Sequence, residues 1–179
     1  QTILEPAIAA MAAEGRPFRG VLYVGLMLTP QGVRVLEYNA RFGDPEAQVV
    51  LPLMENDLLD VMQAIREQRL QEVALRFRPE CAVIVAMASG GYPKAYEKGK
   101  AISGIEDAEA LGLTVYHAGT ALTAGGLVTS GGRVLGVTAV ASDMPTAIHK
   151  AYEGVSCIQF EGAHFRHDIG QKALSREDT

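Results

Sequence analysis

The stretch VLEYNARFGDPEAQVV, residues 35–50, changes character halfway along. It begins with the apolar residues of a strand and then places five polar side chains within ten residues: Glu37, Asn39, Arg41, Asp44 and Glu46. The chain as a whole is 48% hydrophobic. So many oxygen-rich groups at the end of one strand therefore suggest chemistry rather than packing.

Strand periodicity predicts which of these side chains share a face. Side chains alternate between the two faces of a strand with a period of two. Glu37 and Asn39 are therefore expected to point the same way, and Arg41 joins them if the strand continues. Val35 is expected on this face beneath them, and Leu36 on the other.

The residue types on this face suit a metal ion and phosphate groups. A carboxylate beside an amide oxygen is a hard-oxygen site that Mg²⁺ accepts when nucleotide phosphates and waters complete its octahedron. Arg41 adds a planar donor fork for phosphate or carboxylate oxygens. The residues leave a second interpretation open, a salt-bridged turn in which Arg41 pairs with Asp44 or Glu46.

Bulk composition is that of an ordinary soluble globular protein. The 179 residues carry a formal net charge of −5, which argues against a nucleic-acid partner. No apolar run reaches the length of about 20 residues that spans a bilayer. The two cysteines, Cys81 and Cys157, are predicted to be buried free thiols, which suits the cytoplasm.

The hydrophobic patterns predict a mixed fold of class α+β (mixed α/β). The first part reads as a helix over residues 1–13 and two strands over 20–28 and 33–39, paired as a hairpin. The first strand is nearly all apolar and is expected to be covered on both faces. A helix with the sequence DLLDVMQAIREQ follows, capped by Asn56 or Asp57.

The residue pattern of the sequence changes at FRPE, residues 77–80, which predicts a domain boundary, with domains over 1–78 and 79–179. The second part reads as strands alternating with helices, which indicates a small α/β or α+β module. Predicted elements are a strand at 81–88, a hairpin around TSGG (129–132), and a last helix that starts at Ser142 or Asp143. His117 is expected to be a hydrogen-bonded core residue.

Several blocks of the sequence carry a family resemblance. The end of the ATP-grasp domain of the phosphoribosylamine–glycine ligases is resembled by the segment GRPFRGVLYVGLMLTPQGVRVLEYNARFGDPE. Four later blocks resemble the C-terminal domain of that family, in the same order: ASGGYPKAYEKGKAISG, VYHAGTAL, VTSGGRVLGVTAVA and FRHDIG. The resemblance covers essentially the whole chain. It implies the C-terminal part of an ATP-grasp domain followed by a small C-terminal domain.

The resemblance also implies a reaction and a set of site residues. The family joins glycine to 5-phosphoribosylamine with conversion of ATP to ADP and phosphate, in purine biosynthesis. Glu37 and Asn39 correspond to the ligands of Mg²⁺ or Mn²⁺, and Arg41 would stabilise the transferring phosphoryl group or the acyl phosphate. The remaining candidates are Asp44 as a catalytic residue, Glu46 on the substrate side, and Leu36 in nucleotide binding.

The loop SGGYP after the predicted strand at 81–88 has two interpretations. Backbone N–H groups of Ser89, Gly90, Gly91 and Tyr92 are candidates for binding a substrate phosphate. The alternative is a tight turn in which the glycines are needed for positive φ.

The chain opens with QTILEPAIAAM and no initiator Met, so we expect a piece of a longer protein. Its predicted partners are ATP, glycine, 5-phosphoribosylamine and an upstream part of the same enzyme, without nucleic acid or membrane. By itself the chain is expected to be inactive. The alternatives are a non-catalytic module that binds a nucleotide or a partner, and another ATP-grasp carboxylate–amine ligase.

Overall fold

The polar stretch lies at the end of the second strand of a β-hairpin in a computed structural model that describes residues 2–174. The described chain divides into two units. The first comprises the residues up to Glu46 together with Met54–Phe77, and the second comprises Ala47–Leu53 and the residues from Arg78 onward.

The first unit is built around the predicted hairpin. Helix α1 (Leu4–Ala13) precedes strands β1 (Tyr23–Thr29) and β2 (Gly32–Asn39), which pair antiparallel as a two-stranded sheet. The turn closes at Gly32, whose φ of +102° is a conformation that favours glycine. Both predicted strands and their pairing are therefore confirmed.

Helix α3 (Leu58–Arg66) completes the first unit, together with a 3₁₀ turn at Leu70–Glu72. Of the two predicted caps, Asp57 is the one that begins the helix, because its carboxylate accepts a hydrogen bond of 2.7 Å from the N–H of Leu59. Asn56 instead hydrogen-bonds the backbone of residues 74 and 76.

The expectation that β1 is covered on both faces is wrong for the described residues. Leu26, Met27 and Leu28 are 47%, 49% and 66% exposed. The physical reason is that the sheet of this unit has only two strands, so few described side chains are available to cover it.

The second unit contains a three-stranded antiparallel sheet made of β3 (Cys81–Ala88), β4 (Thr114–His117) and β7 (Arg133–Ala141). The strand order in this sheet is β3–β7–β4. Helices α4 (Ile105–Ala110) and α5 (Met144–Cys157) supply further core residues. Asp143 caps α5, as predicted, by accepting a hydrogen bond of 2.8 Å from the N–H of Thr146.

Smaller elements complete the second unit. They are α2 (Ala47–Val50), a 3₁₀ turn (Leu51–Leu53), β5 (Thr120–Thr123), β6 (Gly126–Thr129) and α6 (Gln171–Leu174). The Thr138 hydroxyl donates a hydrogen bond of 3.2 Å to the carbonyl of Gln48, which ties α2 to the central strand. The mixed α+β class is confirmed.

The predicted hairpin around residues 129–132 is wrong. Strand β6 pairs with β5, whereas β7 pairs with β3 and β4, so this segment links two sheets. The hairpin turn lies between Thr123 and Gly126, at the earlier glycine pair. Two glycine pairs lie close together in the sequence, and both satisfy the turn pattern.

Two further predictions concern His117 and the cysteines. His117 is exposed rather than part of the core, although its Nδ1 does lie 3.1 Å from the Thr120 hydroxyl oxygen. Cys81 and Cys157 are free thiols and are half-buried. Within residues 2–174, none of the helices has both the length and the apolar character that crossing a membrane requires.

Candidate functional site

Pairing of β1 and β2 places Glu37 and Asn39 on one face of the hairpin. Glu37 lies opposite Gly25, and Asn39 lies opposite Tyr23. Directly opposed residues of an antiparallel pair share a face, so these four residues define a surface that we call the Glu37 face. Glu37 is exposed on it and Asn39 is half-buried.

Gly25 leaves the space that the Glu37 side chain occupies. A Cβ atom added at Gly25 would lie 3.0 Å from Cγ and 3.7 Å from Oε1 of Glu37. Carbon atoms prefer a separation of about 3.5–4.0 Å. The glycine therefore allows the Glu37 side chain to lie across the neighbouring strand.

A β-bulge interrupts the regular alternation of side chains along β2. Gly25 pairs with Glu37, but the next residue, Leu26, pairs with Val35, so Leu36 is an extra residue in β2. Val35 consequently follows Leu26 to the opposite face, and the expectation that it lies beneath Glu37 is wrong. Leu36, the candidate for nucleotide binding, is 62% exposed.

Glu46 reaches the same face through a hydrogen bond that the sequence pattern does not predict. The Tyr23 hydroxyl donates a hydrogen bond of 3.0 Å to Oε1 of Glu46. This bond, then burial, then the negative charges of Glu46 and Glu37, raise the pKa of Tyr23 above its ordinary value. The only sequence signal was a tyrosine hydroxyl within an apolar strand.

Arg41 lines a hollow of about 530 Å³ at the end of the hairpin where β2 finishes. Its Nη1 donates a hydrogen bond of 2.6 Å to the carbonyl of Phe42. Arg19 and Arg66 also line the hollow. Its apolar lining comes from Val21, Ala40, Phe42, Met62 and Ile65. Three guanidinium groups around an apolar surface favour an anionic ligand.

Asp44 and Glu46 lie on either side of Pro45. Asp44 is exposed and is joined to Pro45 by a cis peptide bond. Glu46 is half-buried. The structure therefore brings Glu46 to the Glu37 face through Tyr23 and leaves Asp44 on an exposed turn.

The loop at Ser89–Tyr92 has a structural explanation for each of its glycines. Ser89 is 3% exposed, and its Oγ donates a hydrogen bond of 2.8 Å to the carbonyl of Gly131. A Cβ at Gly90 would lie 2.9 Å from the carbonyl oxygen of Gly162, and Gly91 has a φ of +95°. The role of the Ser89–Tyr92 loop in phosphate binding stays a prediction.

The donor set on the Glu37 face fits a hard divalent cation. It offers a carboxylate and an amide oxygen, the ligand types that Mg²⁺ accepts. Within residues 2–174, no cluster of three or more histidine, cysteine, aspartate or glutamate residues is placed to hold a metal ion. Such a cation would therefore need further oxygen ligands from a bound substrate and water.

Two family models match the chain in sequence order. The model for the ATP-grasp (A) domain of phosphoribosylglycinamide synthetase matches residues 1–47, and the model for its C domain matches residues 82–172. The chain belongs to the phosphoribosylglycinamide synthetase family. The match to the A domain includes the whole polar cluster from Glu37 to Glu46, and the match to the C domain includes Ser89–Tyr92.

Curated relatives agree with this family. The chain is 52% identical over 174 residues to a phosphoribosylamine–glycine ligase of Synechocystis, covering 96% of this chain and 42% of the relative. It is 50% identical over 176 residues to a trifunctional purine biosynthetic protein adenosine-3 of Gallus gallus, covering 98% of this chain and 18% of the relative. The chain thus spans less than half the length of these synthetase-family proteins.

A solved structure of the family has the same fold. The crystal structure of a phosphoribosylamine–glycine ligase from Thermotoga maritima matches with a TM-score of 0.77 and 36% sequence identity. The match covers 89% of this chain and 39% of that one. Membership of an ATP-grasp ligase family implies ATP and a divalent metal ion.

Proposed function

We propose that the protein carrying this chain joins glycine to 5-phosphoribosylamine, forming glycinamide ribonucleotide while ATP is converted to ADP and phosphate, in purine (IMP) biosynthesis. The chain would supply the C-terminal part of that enzyme. The observation that carries the proposal is the Glu37 face, with Glu37 and Asn39 side by side in a family of ATP-grasp ligases.

Glu37 and Asn39 are the residues that would hold Mg²⁺ or Mn²⁺. Their oxygens suit such an ion, and the exposure of Glu37 leaves its carboxylate open to a ligand. When bound, the ion would neutralise charge on the phosphates of ATP. Leu36, exposed beside this pair, would contact the nucleotide.

The proposed chemistry has two substitutions. An oxygen of the glycine carboxylate attacks the γ-phosphorus of ATP, the bond to the bridging oxygen breaks, and ADP leaves. The amine of phosphoribosylamine then attacks the acyl carbon of the resulting acyl phosphate, phosphate leaves, and the nitrogen loses a proton. Both steps spread negative charge over phosphoryl oxygens, so they depend mainly on positioned donors.

Arg41 is the residue of this chain that would provide such donors. Its guanidinium lines the arginine-rich hollow and presents a planar fork. Arg19 and Arg66 add positive charge around the same hollow. Asp44 would act as a further catalytic residue on the adjoining turn, and Glu46 would lie on the substrate side.

The loop Ser89–Tyr92 is proposed to bind the ribose phosphate of the substrate through backbone N–H groups. Its sharp turn, fixed by the buried Ser89, supports this role because successive N–H groups in a turn form a concave anion site. A purely structural turn is the competing explanation, and its test is phosphate-substrate affinity in a Gly90 variant.

Domain division at 78/79 and a cytoplasmic location stay predictions.

A non-catalytic nucleotide-binding or partner-binding fragment is the second candidate function, favoured by the fact that the chain spans 42% of the Synechocystis relative. The two candidates differ in what the 179-residue chain does by itself. We expect no glycine-dependent release of ADP from it, and robust ligation would refute our assignment of the remaining machinery to other parts of the enzyme.

The decisive experiment measures ADP formation by the intact protein from ATP, glycine and 5-phosphoribosylamine, with one substrate omitted at a time. The proposal requires that ADP release depends on glycine and that full turnover depends on both amine substrates. ADP release that is indifferent to glycine would reject it.

A further inference from the structure

Two neighbours fix the Glu46 carboxylate from opposite sides. Tyr23 donates a hydrogen bond of 3.0 Å to Oε1. On the other side, Gly43 is buried, and a Cβ added there would collide with Oε2 and would lie 2.8 Å from Cδ of Glu46. Only a residue without a side chain allows the carboxylate to lie against the backbone at this point.

The partner of Glu46 holds the carboxylate without cancelling its charge. An arginine or lysine in the place of Tyr23 would neutralise the negative charge, whereas a tyrosine hydroxyl is a neutral donor. A carboxylate held in this way keeps both one orientation and the negative charge that a cationic ligand would need. Glu46 is also half-buried, and a charge that is partly removed from water interacts more strongly with a positive group.

Tyr23 connects Glu46 with the Glu37 face. Tyr23 lies opposite Asn39 in the hairpin, and the charges of Glu37 and Glu46 both act on its hydroxyl. Glu37 and Asn39 are assigned to the metal ion and Arg41 to anionic oxygens. In that assignment no group yet recognises the amino nitrogen that both amine substrates carry.

We infer that Tyr23 is a positioning residue that fixes the Glu46 carboxylate on the Glu37 face, where Glu46 binds the amino group of an amine substrate. This inference rests on the proposed function, because that reaction supplies the two amines, glycine and 5-phosphoribosylamine. It assigns a role to Glu46 and adds Tyr23 and Gly43 to the site.

The test is steady-state kinetics of the intact protein with three variants and one control. Tyr23→Phe removes the donor, Gly43→Ala displaces the carboxylate with Tyr23 intact, and Glu46→Gln keeps an acceptor for Tyr23 but loses the charge. Tyr38→Phe is the control, because Tyr38 is an exposed tyrosine on β2 of the same hairpin.

We expect Tyr23→Phe and Gly43→Ala to raise the KM of one amine substrate about tenfold, and Glu46→Gln up to about a hundredfold, since hydrogen bonds to charged groups are of this strength. The KM for ATP and the metal requirement should not change. Tyr38→Phe should match the wild type. Which amine substrate responds identifies the amino group that Glu46 binds.

Three results would overturn the inference. One is an amine KM within about twofold of wild type in Tyr23→Phe or Glu46→Gln. Another is a shift in metal requirement without a shift in amine KM, which would make Glu46 a metal ligand. The last is an equal decline of all parameters together with lower stability. If the wild-type protein shows no glycine-dependent turnover, the proposed function itself fails, which is a separate outcome.

Discussion

Replacing Gly25 with alanine should separate activity from stability. Gly25 lies in strand β1 and does not have a positive φ, so its backbone conformation is compatible with alanine. Glycine within a strand is less stable than alanine by roughly 0.5–1 kcal/mol. The substitution should therefore leave the free energy of unfolding unchanged or raise it slightly.

The effect on activity should have the opposite sign. The new Cβ would stand 3.0 Å from Cγ of Glu37, about 0.5 Å inside the normal carbon–carbon separation. Glu37 must move by roughly that distance. A misplacement of about 1 Å in an active site can cost about a hundredfold in rate, so half of that displacement corresponds to about tenfold.

The assay is ADP release by the intact protein as a function of Mg²⁺ concentration, with urea unfolding measured in parallel. Gly125→Ala is the matched control, because a Cβ at Gly125 would have only an ordinary contact of 3.8 Å with Thr123 Oγ1. A Gly25→Ala protein with wild-type turnover and an unaltered Mg²⁺ requirement would refute the assignment of Glu37 to the metal ion.

Three other changes have expected outcomes. Glu37→Gln should greatly impair Mg²⁺-dependent ATP turnover yet shift the free energy of unfolding by no more than about 0.5 kcal/mol, because the side chain is exposed; near-normal turnover would exclude Glu37 from the metal site. Met87→Ala should cost about 2–5 kcal/mol in urea unfolding, because Met87 is 1% exposed, whereas Leu122→Ala, at an 83% exposed position, should stay within about 0.5 kcal/mol. Hydrogen bonds with Thr146 and then Ser142 lower the pKa of Asp143. The contribution of Asp143 to stability is therefore full above its unfolded-state pKa and is lost as the pH falls through its lowered folded-state pKa. Asp143→Asn should remove this acid dependence from the unfolding midpoint, and a persistent dependence would assign it to another group.

Local patterns were sufficient for much of the fold. Short polar side chains before apolar periodic segments reduced each helix start to two adjacent candidates, and the capping hydrogen bonds are present at Asp57 and Asp143. The turn before Gly32 likewise follows from residues that are adjacent in the chain. These features depend on neighbours within a few residues, which is the range over which a single sequence is informative.

Errors arose where the choice between local solutions depends on distant partners. The segment 129–132 has the composition of a hairpin turn, but the partners of β7 are β3 and β4, both of which precede β5 and β6 in the chain. The burial of β1 failed for a related reason. An apolar strand shows that covering is favourable, but not how many strands its sheet contains.

The candidate site shows the same division between local and distant information. Alternation within β2 correctly placed Glu37 and Asn39 together, because only one residue separates them and the bulge lies before Glu37. The role of Tyr23 required knowledge of a hydrogen bond that spans 23 residues of sequence. Gly25 and Gly43 are informative only once the side chains across from them are known. A carboxylate that merely follows a metal motif in the sequence is therefore weak evidence for a ligand site. Glu46, which is held by the neutral donor Tyr23 and lies against the buried Gly43, has a defined orientation, and its ligand can be tested.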